Sequence, residues 1–122
     1  MANEISVTST FSITNNNLTY SSSESFNADQ SIQGGPSNGT QQIGTTHETI
    51  GVTDITSLGW AVFKNLDNTN YIEVGVDVSA TFYPFLRLLP GETVVVRLSP
   101  AITLYAKANS TPSDLQTSVF EL

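Results

Sequence analysis

Residues 70–78 read Asn70-Tyr71-Ile72-Glu73-Val74-Gly75-Val76-Asp77-Val78, with an apolar side chain at every second position from Ile72 onward. A period of two belongs to an extended chain, whose successive side chains leave opposite faces. Ile72, Val74, Val76 and Val78 are therefore expected in a core, with Tyr71, Glu73, Gly75 and Asp77 outside. Working outward, segments 46–52, 59–65, 82–88, 92–98, 101–107 and 115–122 also read as extended. Turn residues separate nearly all of them: Asp67-Asn68-Thr69-Asn70, Pro90-Gly91 at the centre of a type II turn, Ser99-Pro100 and Thr111-Pro112-Ser113-Asp114. Over 92–107, Val94, Val96, Leu98, Ile102, Leu104 and Ala106 are expected to point inward, and Val95, Arg97, Tyr105 and Lys107 outward.

Toward the N-terminus, Ile5, Val7, Phe11 and Ile13 alternate with Ser6, Thr8, Thr10 and Ser12, which predicts a strand over 5–13. Asn15, Asn16 and Asn17 supply a turn, and 18–22 continues as a second strand. Residues 21–44 hold four Gly, one Pro and few apolar groups, and read as a long loop or extended arm with room for a short strand. Such a segment either reaches a neighbouring subunit or forms a mobile surface loop. The short spacings between strands favour antiparallel neighbours. The expectation is one all-β domain over 1–122: an antiparallel β-sandwich or barrel of eight to nine strands.

Composition agrees with that class and removes others. Ser and Thr number 31 of 122 residues, and with 10 Asn they far outnumber the 15 charged side chains. Such a mix suits strands and turns better than solvated helices. Formal net charge is -7, and no Lys or Arg precedes Lys64, so the first half carries only acidic groups. The four cations Lys64, Arg87, Arg97 and Lys107 are spread out, and a nucleic-acid partner is not expected. Absent cysteine excludes disulfides and thiolate chemistry, so stability has to come from packing or assembly, and a homo-oligomer is expected. No apolar run approaches the ~20 residues of a spanning helix, and MANEISVTST has no signal-peptide pattern. The expected product is soluble, with no membrane partner.

Catalytic constellations are not visible. His47 is the single histidine, so a metal centre of several histidines cannot arise within one chain, and His47 reads as an exposed strand residue. Glu73 and Asp77 share a strand face at roughly 13 Å, wider than a glycosidase pair, and read as solvated charges. Asp67-Asn68-Thr69-Asn70 lacks the ligand spacing of an EF-hand and reads as an Asx turn. Three Asn-x-Thr sequons begin at Asn17, Asn38 and Asn109, as a chain this rich in Asn, Ser and Thr produces by chance. No catalytic residue, metal ligand or cofactor is expected, and no enzyme.

Aromatic residues are the remaining signal. Phe82-Tyr83-Pro84-Phe85 is strongly aromatic, and because strand neighbours face opposite ways, Phe82 and Tyr83 cannot both enter one core. One of the two should meet a second surface. Trp60, Phe82, Tyr83 and Phe85 are the interface candidates. Trp60, Tyr71, Tyr83 and Tyr105 could alternatively stack on sugars, a carbohydrate-binding reading that subunit contact outranks.

Gly59-Trp60-Ala61-Val62-Phe63-Lys64-Asn65-Leu66-Asp67, Asn70-Tyr71-Ile72-Glu73-Val74-Gly75, the aromatic run 82–85, Leu89-Pro90-Gly91-Glu92 and Leu104-Tyr105-Ala106-Lys107-Ala108-Asn109 together resemble small virion proteins of tailed bacteriophages. The resemblance is to the capsid decoration, or cement, type. It covers about half the chain and consists of strand and turn residues rather than a chemical signature. It implies a jelly-roll-like sandwich, made in the host cytoplasm, that sits as a homotrimer on the capsid surface and clamps adjacent copies of the major capsid protein. A tail or neck component of the virion is the alternative that it implies. The first half carries no such resemblance, so capsid contacts cannot be transferred to particular residues.

Overall fold

The computed structural model describes residues 3–122, and among these there is no helix. The chain divides into two compact units, Met1–Ile32 and Gln33–Leu122. The first unit is an antiparallel hairpin of β1 (Ile5–Asn15) and β2 (Leu18–Ala28). Its ladder runs unbroken from Ile5↔Ala28 to Asn15↔Leu18, leaving Asn16 and Asn17 as a two-residue loop. Asn16 takes φ 52°, a left-handed value that asparagine tolerates better than other side-chain-bearing residues.

The second unit holds eight strands: β3 (Ser37–Ile43), β4 (Glu48–Thr49), β5 (Leu58–Asn65), β6 (Ile72–Val78), β7 (Thr81–Leu88), β8 (Thr93–Arg97), β9 (Tyr105–Ala108) and β10 (Ser113–Glu121). They pair first with last: β3 with β10, β4 with β9, β5 with β8 and β6 with β7, every pair antiparallel. A long hairpin rolled on itself gives this pattern. The β10–β5 and β9–β6 ladders then join the pairs into two sheets, β3-β10-β5-β8 and β4-β9-β6-β7. That order is the two-sheet jelly roll. The antiparallel β-sandwich read from the alternation is thus the fold, built from eight of the ten strands.

Both sheets send side chains into one core. Ile43, Ala61, Phe63, Leu115 and Val119 come from the first sheet, and Ile72, Val74, Leu88, Ala106 and Ala108 from the second. Val94, Val96 and Ile102 pack against this cluster, and Leu98 and Leu104 lie inside it, as their alternation required. At one corner a buried amide replaces apolar packing. Asn65 Nδ2 donates to the carbonyls of Asn70 and Leu88, each at 2.9 Å, and Asn65 Oδ1 accepts from the Asp67 amide. Asn70 is bonded in turn to Thr111 and Ser110, so the β5–β6 and β9–β10 turns are held together.

Several expectations need correction. Residues 21–44 are not one long arm: β2 continues to Ala28 and β3 occupies 37–43, which leaves 29–36 irregular. Polar strands such as these are held by backbone ladders to β1 and β10, a bond that leaves no hydrophobic signature. The strand expected at 46–52 shrinks to two residues, and the one at 101–107 becomes 105–108. Ile102 and Leu104 still reach the core, from irregular chain fixed by bonds such as Ile50 N to Leu104 O. Val78, expected inside, is 56% exposed, because the β6–β7 hairpin runs past the packed part of the sandwich. Gly75, expected outside, is buried at a β-bulge where the register slips by one between Val74↔Leu86 and Gly75↔Pro84. A Cβ there would fall within 2.6 Å of Pro84 Cα, so only glycine admits so close an approach.

Candidate functional site

β7 is an edge strand, bonded only to β6, and it carries three of the four aromatic candidates. Pro84 sits where an edge permits it, since a strand facing solvent on one side can spare an N–H. Phe85 is the extra residue of the bulge, between the paired Pro84 and Leu86. Tyr83 and Phe85 are each 55% exposed, and Phe82 is half-buried. The competition between Phe82 and Tyr83 for a single core resolves in an unexpected way, since neither enters it. Phe82 is covered by His47, whose ring stacks on it at 5.3 Å between centroids and 14° between planes. Tyr83 and Phe85 remain for a second surface. Trp60 is apart from them, in the other sheet on β5, half-buried with Arg97 of β8 5.9 Å from its ring.

His47 is neither isolated nor a strand residue. It lies just before β4, with Nε2 2.6 Å from Asp77 Oδ2 and Tyr105 at a tilted 5.7 Å. Asp77 Oδ1 accepts from the Ala80 amide and so closes the β6–β7 turn. The turn residues Ser79 and Ala80 both have positive φ, 52° and 68°. One carboxylate therefore anchors both a turn and the histidine that shields Phe82. The second carboxylate on this face, Glu73, receives Arg87 Nε and Nη2 at 3.3 and 3.0 Å, while the same guanidinium lies 4.0 Å above the Tyr71 ring. The sequence suggested two solvated charges, but Glu73 is bonded by Arg87 across the β6–β7 ladder and Asp77 by His47 and the Ala80 amide, partners unseen in a linear reading.

Glu121, Glu48, Gln41 and Asp67 are likewise committed to holding the backbone. Glu121, buried at the end of β10, accepts from the amides of Thr56 and Ser57. Glu48 accepts from the Gly44 amide and Gln41, and Gln41 bonds the Gly51 amide and the Thr49 carbonyl. Asp67 Oδ2 accepts from the Thr69 and Asn70 amides in an Asx turn, and these bonds hold its carboxyl below the usual aspartate range. Among the described residues, no group of three or more His, Asp or Glu side chains converges as a metal ion requires.

One end of the sandwich opens into a cavity of about 510 Å³ between segments 49–58 and 98–104. Ile50, Val52, Ile55, Leu98 and Ile102 line it, and none of its lining residues is charged. Thr49, Thr56 and Thr103 add hydroxyl groups to that lining.

Comparison with known proteins finds no matching family model, and no curated protein or solved structure of significant similarity.

Proposed function

We propose that this chain is a non-enzymatic structural protein of a phage-type virion, which attaches to the outside of the capsid and stabilises it as a cement protein. The observation that carries this reading is the contrast on the second sheet. His47, Glu73, Asp77 and Arg87 are tied to one another and to the fold, while Tyr83 and Phe85 stand exposed on an edge strand. Exposed aromatics beside an unpaired strand edge are suited to binding another protein. The jelly-roll order agrees with the resemblance of residues 59–109 to decoration proteins, and the acidic surface would keep coated particles apart. Attachment to the assembled shell alone raises the shell's resistance to disassembly by mass action. Sugar stacking has less support, because Arg87 already lies over Tyr71.

Co-sedimentation tests the proposal. Purified protein mixed with shells lacking it should pellet with them at micromolar concentration and raise the temperature at which they release their contents. Protein that stays in the supernatant, with no gain in heat resistance, rejects the capsid role.

A further inference from the structure

The first unit carries a second uncovered surface. Along β1 and β2, one face holds the pairs Val7↔Phe26, Phe11↔Ser22, Ile13↔Tyr20 and Asn15↔Leu18, and the opposite face holds only hydroxyl and amide side chains. On that polar face the pairs Thr8–Ser25 and Thr10–Ser23 are hydrogen-bonded, at 3.3 and 3.4 Å. The apolar face is open: Phe11 is 56% exposed, Leu18 53% and Tyr20 55%. A two-stranded ribbon is marginal in water unless one face is covered, and a ribbon with eleven residues per strand spans roughly 36 Å.

We propose that this apolar face binds a second copy of the same chain. The need for cover and the area available select that occupant, and the charge pattern allows it. The face needs cover in every molecule, before any virion is met, and another copy is the one partner always present. The exposed parts of Phe11, Ile13, Leu18 and Tyr20 amount to roughly 400 Å² of apolar surface per chain, taking typical side-chain areas. Two copies together give ~800 Å², and at the usual apolar share this is an interface of ~1,300 Å², within the range of specific complexes. The charge pattern permits this self-pairing. Glu24, opposite Ser9, is the single carboxylate among the β1 and β2 side chains of that face. A two-fold axis across the middle of the ribbon lays Glu24 over Ser22 of the other copy, a hydroxyl that can donate to it. Parallel stacking about an axis along the strands would lay β2 over β1 and set Glu24 over Ser9, so either direction keeps the two Glu24 carboxylates apart.

Light scattering on the eluting wild-type chain at about 100 µM, above the micromolar-to-picomolar range of interfaces of standard size, should give a dimer or a multiple of one. Phe11→Ser/Tyr20→Ser should elute as a monomer, and Thr10→Lys/Ser12→Lys, altered on the hydroxyl face, should keep the assembly. Amide exchange in β1 and β2 should slow as wild-type concentration rises, which a hairpin stable by itself would not show. A monomeric wild type, an assembly that survives the Phe11/Tyr20 change, or concentration-independent exchange overturns the proposal. A wild type that is monomeric and loses shell binding on the Phe11/Tyr20 change also overturns it, and assigns the face to the capsid. Self-association without co-sedimentation rejects only the cement reading.

Discussion

At the scale of single residues, the second unit invests its polar chemistry in corners. Asp67 folds with its carboxylate bonded to two backbone amides, so its pKa is lower in the folded chain than in the unfolded one. The stabilisation is present above the unfolded pKa and is lost as pH falls through the folded value. Melting temperatures of the wild type and Asp67→Asn should differ at neutral pH and converge in acid. A gap that does not change with pH would show that the charge is not what matters. Asn65 is a stronger case, because it is fully buried and serves two carbonyls and one amide. Asn65→Ala strands those groups in the interior and should cost about 3 kcal/mol, read by urea unfolding. The Asx turn at Asp67 was legible in the sequence, whereas the role of Asn65 was not. The partners of Asn65 include Leu88, which only the fold brings near.

At the scale of elements, turns and ladders divide into those written in side chains and those that are not. Pro90-Gly91 was legible because chemistry dictates it: Gly91 takes φ 82° and the Glu92 amide bonds the Leu89 carbonyl, closing the turn. Ser79-Ala80 was not legible, since neither residue favours the left-handed values both adopt, and register together with the Asp77 cap imposes them. That conflict predicts a gain. Ala80→Gly removes a left-handed alanine at some entropic cost to the unfolded chain, and should stabilise the sandwich by about 0.5–1 kcal/mol, a rise of a few degrees in melting temperature. The second half of β2, beyond the strand read over 18–22, and the extent of β3 escaped the sequence reading for a related reason. Their side chains are mostly exposed, so β1 and β10 hold them through backbone bonds and no alternation had to be encoded. The interior strands β5, β6 and β10, which contribute most to the core, announced themselves by their period of two.

At the scale of the whole molecule, the alternation specified how many surfaces had to be buried, and the rolled pairing of β3–β10, β4–β9, β5–β8 and β6–β7 decided which apolar residues were left over. Trp60, Phe82, Tyr83 and Phe85 looked equivalent as aromatic letters. Topology sends Trp60 to the other sheet beside Arg97, and places His47 over Phe82 through the Asp77 bond. Exposure of Tyr83 and Phe85 is therefore a consequence of the fold, and it separates adhesion from stability in an experiment. Tyr83→Ser/Phe85→Ser removes apolar surface that contributes little to the core, so urea unfolding should move by less than about 1 kcal/mol. If these rings fill pockets on a partner, the same change should weaken shell binding by a hundredfold or more, corresponding to about 2.7 kcal/mol at an aromatic hot spot. Arg97→Ala beside Trp60 should leave binding within about threefold, in line with its place away from that strand. Equal losses of stability and binding in the Tyr83/Phe85 variant would make these rings structural, and unchanged binding with unchanged stability would move the contact to another face.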